Sequence, residues 1–509
     1  MIDIAWIQHK RAIYFFAVLA SALLSLWIGY REEVINTDAI CYLLSAQIIG
    51  ETGIRGAMHL CGQAKWPFYS ALIYGFVQIS HLPYFIAAYL LNGFFSILSV
   101  TMFVLIVKEL GGSQRMLWLA ALTILLSHEF NSVREYIVRD HGFWAFYLTS
   151  FWFLLRYFQK PGMAMALGFS LSLCIATLFR IEGAVFLLLL PFLSFFCSRY
   201  AFGARLKSFF VLNLPLIFIG ILLAGWLLTH PGQTLDQLGR VPEVYNQFAH
   251  ALSRIIEYFQ SVKTAFAQHV LPSDSAKDAG LVLFVALIAW YVISILSNLS
   301  WGYAFLAIYG WFTRSIRFAR GGWLVFGGYL VINIMVTLGF FLQHLFLSKR
   351  YLIALSLILM LCVPFALDHL IKSRASLRSR LFLLFVALMM AISAVGGIFD
   401  FGYSKAYIRQ AGDWLAQNVP GEANLYANDR SLMYYSNHYG YSLFEQADRQ
   451  SDIDSIAHGN WKKYDYVALR LNKKEEGKTA ALLQEIPFSP IHVFNNKRGD
   501  RVVIYRINS

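Results

Sequence analysis

Apolar stretches of membrane-crossing length recur between Ala12 and Phe399, broken only by short charged segments, and they constrain this chain more than any other feature. About 20 apolar residues cross a bilayer as a helix, because in hydrocarbon every backbone polar group must be bonded within its own segment. Such runs fall near 12–30, 84–107, 116–127, 142–158, 163–179, 183–197, 208–228, 280–299, 322–342, 351–371 and 381–399. The stretch 116–127 is short and borrows flanking residues. In 301–320 an apolar run, Trp301 to Phe312, is followed by Arg314, Arg317 and Arg320 at helical spacing. That pattern reads as a helix lying on the cytoplasmic surface, with a further span as the alternative. Composition agrees: 58% of the 509 residues are hydrophobic, 14% are charged and the mean hydropathy is +0.55, far from a soluble globular protein.

Charge sets the orientation. Lys and Arg collect on the cytoplasmic side of a membrane. With the N-terminus inside, the cytoplasmic segments carry 16 cations, from Lys10 and Arg11 to Arg378 and Arg380, against Asp3, Glu109 and Asp368. The opposite face of residues 1–399 receives 12 cations and 13 acids. The reading is therefore eleven spans, a retained N-terminal anchor and an external C-terminal segment. The basic balance, +13 overall, is explained by loop-placed cations and gives no reason to invoke nucleic acid.

Residues 400–509 are more polar and nearly neutral, so the chain divides into a membrane domain, 1–399, and a soluble domain, 400–509. In the latter a helix over Tyr403–Asn418 stops at Val419-Pro420-Gly421. Strand-like runs follow at Asn424–Ala427, Tyr464–Leu471, Ile491–Phe494 and Arg501–Ile507, with a helical stretch near Lys474–Glu485. That alternation predicts a small α/β domain. Two outer loops, 31–83 and 229–279, are too long for turns; helices on the outer leaflet, including one within Val244–Val270, account for both. Cys41 and Cys61 share the first loop, and stay free or pair according to whether that loop is extracytoplasmic.

The informative charges gather on the outer side. Asp38 follows the first span and enters the apolar run Ala39 to Ile49; its bland role is to favour a helix N-terminus. Lys65 lies in Lys65-Trp66-Pro67-Phe68-Tyr69. Glu135, Arg139, Asp140 and His141 crowd one loop. Arg180 and Glu182 occupy a turn between two apolar helices, where a plain ion pair is the structural alternative. Lys349-Arg350-Tyr351 opens the tenth span.

In this order, the early acid Asp38, the Lys-x-Pro-x-Tyr loop (Lys65, Pro67, Tyr69), the second acid Asp140, a cation before a helix ending in Pro (Arg180 to Pro191) and the late Lys349-Arg350-Tyr351 resemble the GT-C superfamily of polyprenyl-phosphate-sugar glycosyltransferases. The branch is that of protein O-mannosyltransferases and lipid A aminoarabinose transferases. The resemblance covers residues 1–399, and the α/β segment is similar to the extracytoplasmic domain that some members carry. It implies a catalytic acid at Asp38, the base, and a second catalytic acid at Asp140 that positions the acceptor or sugar. Lys65, Arg139, Arg180 and Arg350 become candidates for the donor phosphate, with His141, Glu182, Tyr69 and Lys349 in support. Relatives often have an acid directly before the loop lysine that in some helps hold a divalent ion; here Ala64 stands there, so a metal is left open. Implied partners are a polyprenyl-phosphate-linked sugar, membrane lipids and an envelope glycolipid, glycan or protein acceptor. The implied location is a bacterial inner membrane, with catalysis on the periplasmic side. A lipid-linked sugar flippase or transporter, and a non-catalytic saccharide-binding membrane protein, are the competing readings.

Overall fold

In the computed structural model, the described residues are 11–197, 201–229, 250–373, 376–438, 456, 459–475, 483–484 and 486–507. The expectations for Asp3, Lys10, residues 230–249 and most of Lys474–Glu485 lie outside them. The chain is predominantly helical, and two compact units emerge from its packing. One comprises residues 1–27, 90–135 and 139–399; the other comprises 28–89, 136–138 and 400–509.

The first unit is a helical bundle. Its elements are α1 (Ala12–Arg31), α4 (Tyr84–Glu109), α5 (Gln114–Leu125), the one-turn α6 (His128–Ser132), α7 (Asp140–Gln159), α8 (Met163–Phe179) and α9 (Gly183–Leu189). A 3₁₀ segment, Leu190–Phe196, continues α9, with Pro191 at its start. Then come α10 (Phe202–Thr229), α11 (Ala251–His269), α12 (Ala279–Leu299), α13 (Trp301–Phe312), α14 (Gly322–His344), α15 (Lys349–Met360), α16 (Val363–Lys372) and α17 (Leu377–Ile398). Helices α1 and α4 each run from one unit into the other.

Every expected span coincides with helix, and the chain is an integral membrane protein. Among the described residues, six helices are long and apolar enough to cross a bilayer, or seven if the bent pair α15–α16 is one span. The expected count of eleven is not reproduced by length and composition, because α5, α8 and α9 with its 3₁₀ extension are short, and α7 carries Asp140, His141 and Arg156. Along α10, α12 and α17 most side chains remain exposed, Phe218, Leu281 and Leu384 among them, as befits helices whose solvent is lipid.

The segment 301–320 departs from expectation. Helix α13 ends where Arg314 adopts φ 52°, a left-handed conformation that stops helical bonding, so Arg314, Arg317 and Arg320 do not share a helix. Nor is α13 peripheral within its unit: Tyr303 Oη donates to the Thr123 carbonyl at 2.9 Å, and Phe305 and Tyr309 pack on Phe385 and Phe382 of α17.

The second unit holds α2 (Thr37–Ala57), which bends at Gly53, α3 (Phe68–Ser80), α18 (Ala406–Asn418), α19 (Arg430–Tyr435) and a four-stranded sheet. The strands are β1 (Leu425–Ala427), β2 (Tyr466–Leu471), β3 (His492–Asn495) and β4 (Arg501–Arg506), in the order β1-β2-β4-β3, with only β1–β2 parallel. All four match the runs read from the sequence. Period-two alternation sends Tyr466, Ala468, Val502 and Ile504 to one face and Val467, Leu469, Val503 and Tyr505 to the other. The first face is covered by α18, α19 and α2, which contributes Ile40, Cys41, Leu44 and Ile48. The loop 31–83, read from sequence as part of the membrane domain, thus shares a core with residues 400–509. Glu33 strengthens the union by accepting the backbone N–H groups of Lys405 (2.6 Å) and Ala406 (3.0 Å) at the start of α18.

Candidate functional site

In the second unit, Asp38 occupies the first turn of α2, where the helix dipole favours a carboxylate. The residue before the helix is Asn36, whose amide instead brackets the backbone of Ile137, donating to its carbonyl and accepting its N–H at 2.9 Å. Gln63 Nε2 donates to Asp38 Oδ1 at 3.0 Å. What delivers Gln63 is a Cys41–Cys61 disulfide, with Cα atoms 6.3 Å apart, that ties the loop after α2 to the helix one turn beyond Asp38. Lys65 follows on the same loop and is exposed, whereas Tyr69 is buried edge-to-face against Tyr42, with centroids 5.1 Å apart. The sequence reading left the disulfide open and had no signal for Gln63.

The first unit brings together most of the other candidates. Arg180 caps α8 in an extended conformation, and a three-residue turn through Glu182 starts α9. The turn crosses α7 closely because Gly142 has no side chain: a Cβ there would lie 2.3 Å from the ring of Phe179, itself buried. Arg180 consequently meets Asp140 through Nη1 and grips both oxygens of Glu182, with Nη2 at 2.6 Å and Nε at 3.3 Å. Its guanidinium also lies 4.8 Å from the ring centroid of Tyr351, and Arg350 approaches the same ring at 5.5 Å. Arg139 stands beside both acids, and its Nη1 is buried with no hydrogen-bond partner among the described residues.

Three cations therefore face two carboxylates, leaving an excess of one positive charge. Burial would raise the Asp140 carboxyl, but Arg180, Arg350 and Arg139 outweigh it and hold the group below its usual range. For Glu182 the same opposition, burial against Arg180, settles at about 2. Both acids are anionic at neutral pH.

Two candidates serve the scaffold. His141 Nε2 donates to the Val133 carbonyl at 3.1 Å, which leaves Nδ1 to accept from Ser96 Oγ at 3.3 Å. Lys349 Nζ donates to the buried carboxylate of Glu129 at 2.7 Å, tying α15 to α6. Five residues after Glu129, Arg134 is buried with neutral hydrogen-bond acceptors, Asn131 Oδ1, the Ser21 carbonyl and the Ser21 and Ser25 hydroxyls, and burial draws its guanidinium down to about 9. Glu129 was missed from sequence, although an acid directly after the short run 116–127 was a usable signal.

Arg180, Glu182, Arg350 and Tyr351 line one end of an open-sided pocket. Its walls are apolar, with Phe143, Phe186, Val336, Phe340 and Leu347, and Asn333 and Thr337 line it further along. A cationic end on an apolar cleft suits an amphipathic anion. Among the described residues no three His, Cys, Asp or Glu side chains gather closely enough to hold a metal ion.

No family model matches the sequence, and no curated protein matches it. Solved structures do match its fold. The oligosaccharyltransferase of Archaeoglobus fulgidus, solved with zinc and sulfate, has a TM-score of 0.51 at 13% identity over 96% of this chain and 72% of that one. ArnT from Cupriavidus metallidurans in the apo state gives 0.46 at 13% identity, with 96% and 97% covered. The arabinofuranosyltransferase AftD from Mycobacteria gives 0.49 at 11%, with 98% of this chain but only 40% of that one. At such identities the likeness concerns architecture. The fold is shared with the archaeal oligosaccharyltransferase structure, and in this chain it comprises a helical unit and a unit built on a four-stranded sheet.

Proposed function

We propose that this protein is a membrane glycosyltransferase that moves a sugar from a polyprenyl-phosphate donor to an envelope glycolipid, glycan or protein acceptor, with inversion. The observation that carries the reading is the arginine cluster, one positive charge in excess, at the end of the apolar pocket. Transfer forms a bond between an acceptor hydroxyl oxygen and the anomeric carbon, and breaks the bond from that carbon to a phosphate oxygen. The electron pair departs with the phosphate, and the hydroxyl proton goes to a base. Fixed guanidinium groups lower the barrier by stabilising the charge gathering on the phosphate, and Arg350 and Arg180 suit its planar pairs of oxygens.

Asp38 is the base in this reading, oriented by Gln63, and Lys65 adds a compact positive charge on the same loop. The resemblance supplies the role of Asp38. Asp140 and Glu182 fix the rotamer of Arg180. The polyprenyl chain lies along the apolar helices, and the work is done on the periplasmic side of a bacterial inner membrane.

The test compares envelope glycolipids and glycoproteins by mass spectrometry in cells carrying the wild-type gene, no gene, or Asp38→Asn. The expected result is loss of one sugar modification in the last two, with the Asp38→Asn protein present in the membrane at wild-type level. A full modification profile with Asp38→Asn rejects that assignment, and an unchanged profile without the gene rejects the transferase.

A further inference from the structure

Helix α14 carries one polar residue deep in an apolar stretch, Val331-Ile332-Asn333-Ile334, and its side chain lines the pocket while being only 3% exposed. Polar groups in such places are satisfied or functional. Asn333 is satisfied in part. Its Nδ2 donates to the Tyr329 carbonyl at 2.7 Å and to the Tyr147 hydroxyl, which spends both N–H groups. A carbonyl can only accept, so the first bond fixes which end of the amide is nitrogen. Oδ1 has no hydrogen-bond partner among the described residues, yet it is not sealed off from space. The neighbouring Thr337 differs: its hydroxyl is engaged by the Asn333 carbonyl and the Tyr291 hydroxyl, each at 2.7 Å.

The amide is also held rigidly. Tyr147 and Tyr329 are themselves buried, their rings 5.1 Å apart, and Ser150 bonds the Tyr329 hydroxyl at 2.7 Å. A fixed acceptor is thus presented among Phe143, Phe186 and Val336. Tyr147 lies seven residues beyond Asp140 on α7, so the acceptor is about 10 Å along the helix from the arginine end.

We infer that Asn333 is a specificity residue: through Oδ1 it selects a ligand that carries a hydroxyl or amino group at a set distance from its phosphate. The inference rests on the pocket being the phosphate site of the proposed donor and names the part of the donor that enters it, the sugar. An isoprenoid chain has no donor group to offer and would leave Oδ1 buried and unmet. Placing an unpaired acceptor against hydrocarbon costs more than a made hydrogen bond gains, so the selection works chiefly by rejection.

The test needs no turnover. The purified protein is titrated calorimetrically with two probes of equal length, hexyl phosphate and 5-hydroxypentyl phosphate. In wild type the hydroxylated probe binds the tighter of the two. In Asn333→Leu the ratio of the two Kd values shifts by about tenfold toward hexyl phosphate, the size expected for one buried hydrogen bond. Tyr147→Phe removes a support of the amide but keeps Oδ1, and it retains the wild-type preference. An equal affinity of wild type for both probes overturns the inference, as does an unchanged ratio in Asn333→Leu or a ratio shifted as far by Tyr147→Phe. Arg350→Gln separates the two readings: it weakens both probes equally if the phosphate site is correct. If it changes neither affinity, the phosphate reading falls while the Asn333 ratio stands or falls on its own.

Discussion

Arg180 holds both carboxylate oxygens of Glu182, only two residues further along the chain, at 2.6 Å and 3.3 Å, while its remaining terminal nitrogen reaches Asp140 on another helix. A turn and a helix N-terminus are thereby joined through one guanidinium. Replacing Arg180 with Gln strands the buried Asp140 charge, and the expected loss is about 3–5 kcal/mol. Lys at this position restores charge without the fork and recovers only part of that. Thermal unfolding in detergent measures both variants.

The acids set a pH dependence. A carboxylate whose folded pKa is depressed contributes stability that is present above its unfolded pKa and lost as pH falls through the folded one. For Glu182 that window runs from the ordinary 4.5 down to about 2, and Asp140 adds in the same direction. The midpoint of unfolding should fall steadily as pH drops from 5 to 2, roughly the span expected from such shifts. Glu182→Gln should flatten that acid limb. An identical acid profile in wild type and variant refutes the depressed carboxyl.

Gly142 provides the space that lets α7 approach Arg180. Gly142→Ala puts a methyl group into the Phe179 ring, and crowding of this kind costs about 1–3 kcal/mol. Because the turn must then move, the variant should also bind hexyl phosphate more weakly. A variant with wild-type melting and wild-type affinity refutes the close approach.

The Cys41–Cys61 disulfide closes a loop across 20 residues and contributes about 3 kcal/mol by the chain-entropy estimate. Reductant should lower the melting temperature of wild type and leave the Cys41→Ser, Cys61→Ser double variant unaffected. Alkylation before reduction should label only Cys174, Cys197 and Cys362 among the five cysteines, so labelling of Cys41 or Cys61 without reductant contradicts the bond.

Periodicity and propensity made much of the fold legible. The four strands lie within two residues of their expected bounds and α18 within three, because alternation and the Val419-Pro420-Gly421 stop are local signals. The segment after Phe312 was misjudged: three arginines at helical spacing say nothing about a left-handed turn at Arg314 that breaks the helix between them. At the site, Asp140, Arg180, Glu182 and Arg350 were identifiable as charges too close to hydrocarbon to be idle, and they do converge. Asn333 carried the same signal, a lone amide in an apolar run, but its meaning depends on which atom is spent on Tyr147 and Tyr329. Gln63 and Glu129 act through partners distant in sequence, which single-chain patterns do not reveal.

The shared core of α2 and the C-terminal sheet bears on biogenesis. Ile40 and Leu44 precede the helical bundle in the chain, whereas Ile408 and Ile504, which share their core, follow it. The segment carrying α2 must therefore wait, half-clad, through synthesis of the whole helical bundle. A chain cut short before α18 would leave Ile40 and Leu44 without the core they join.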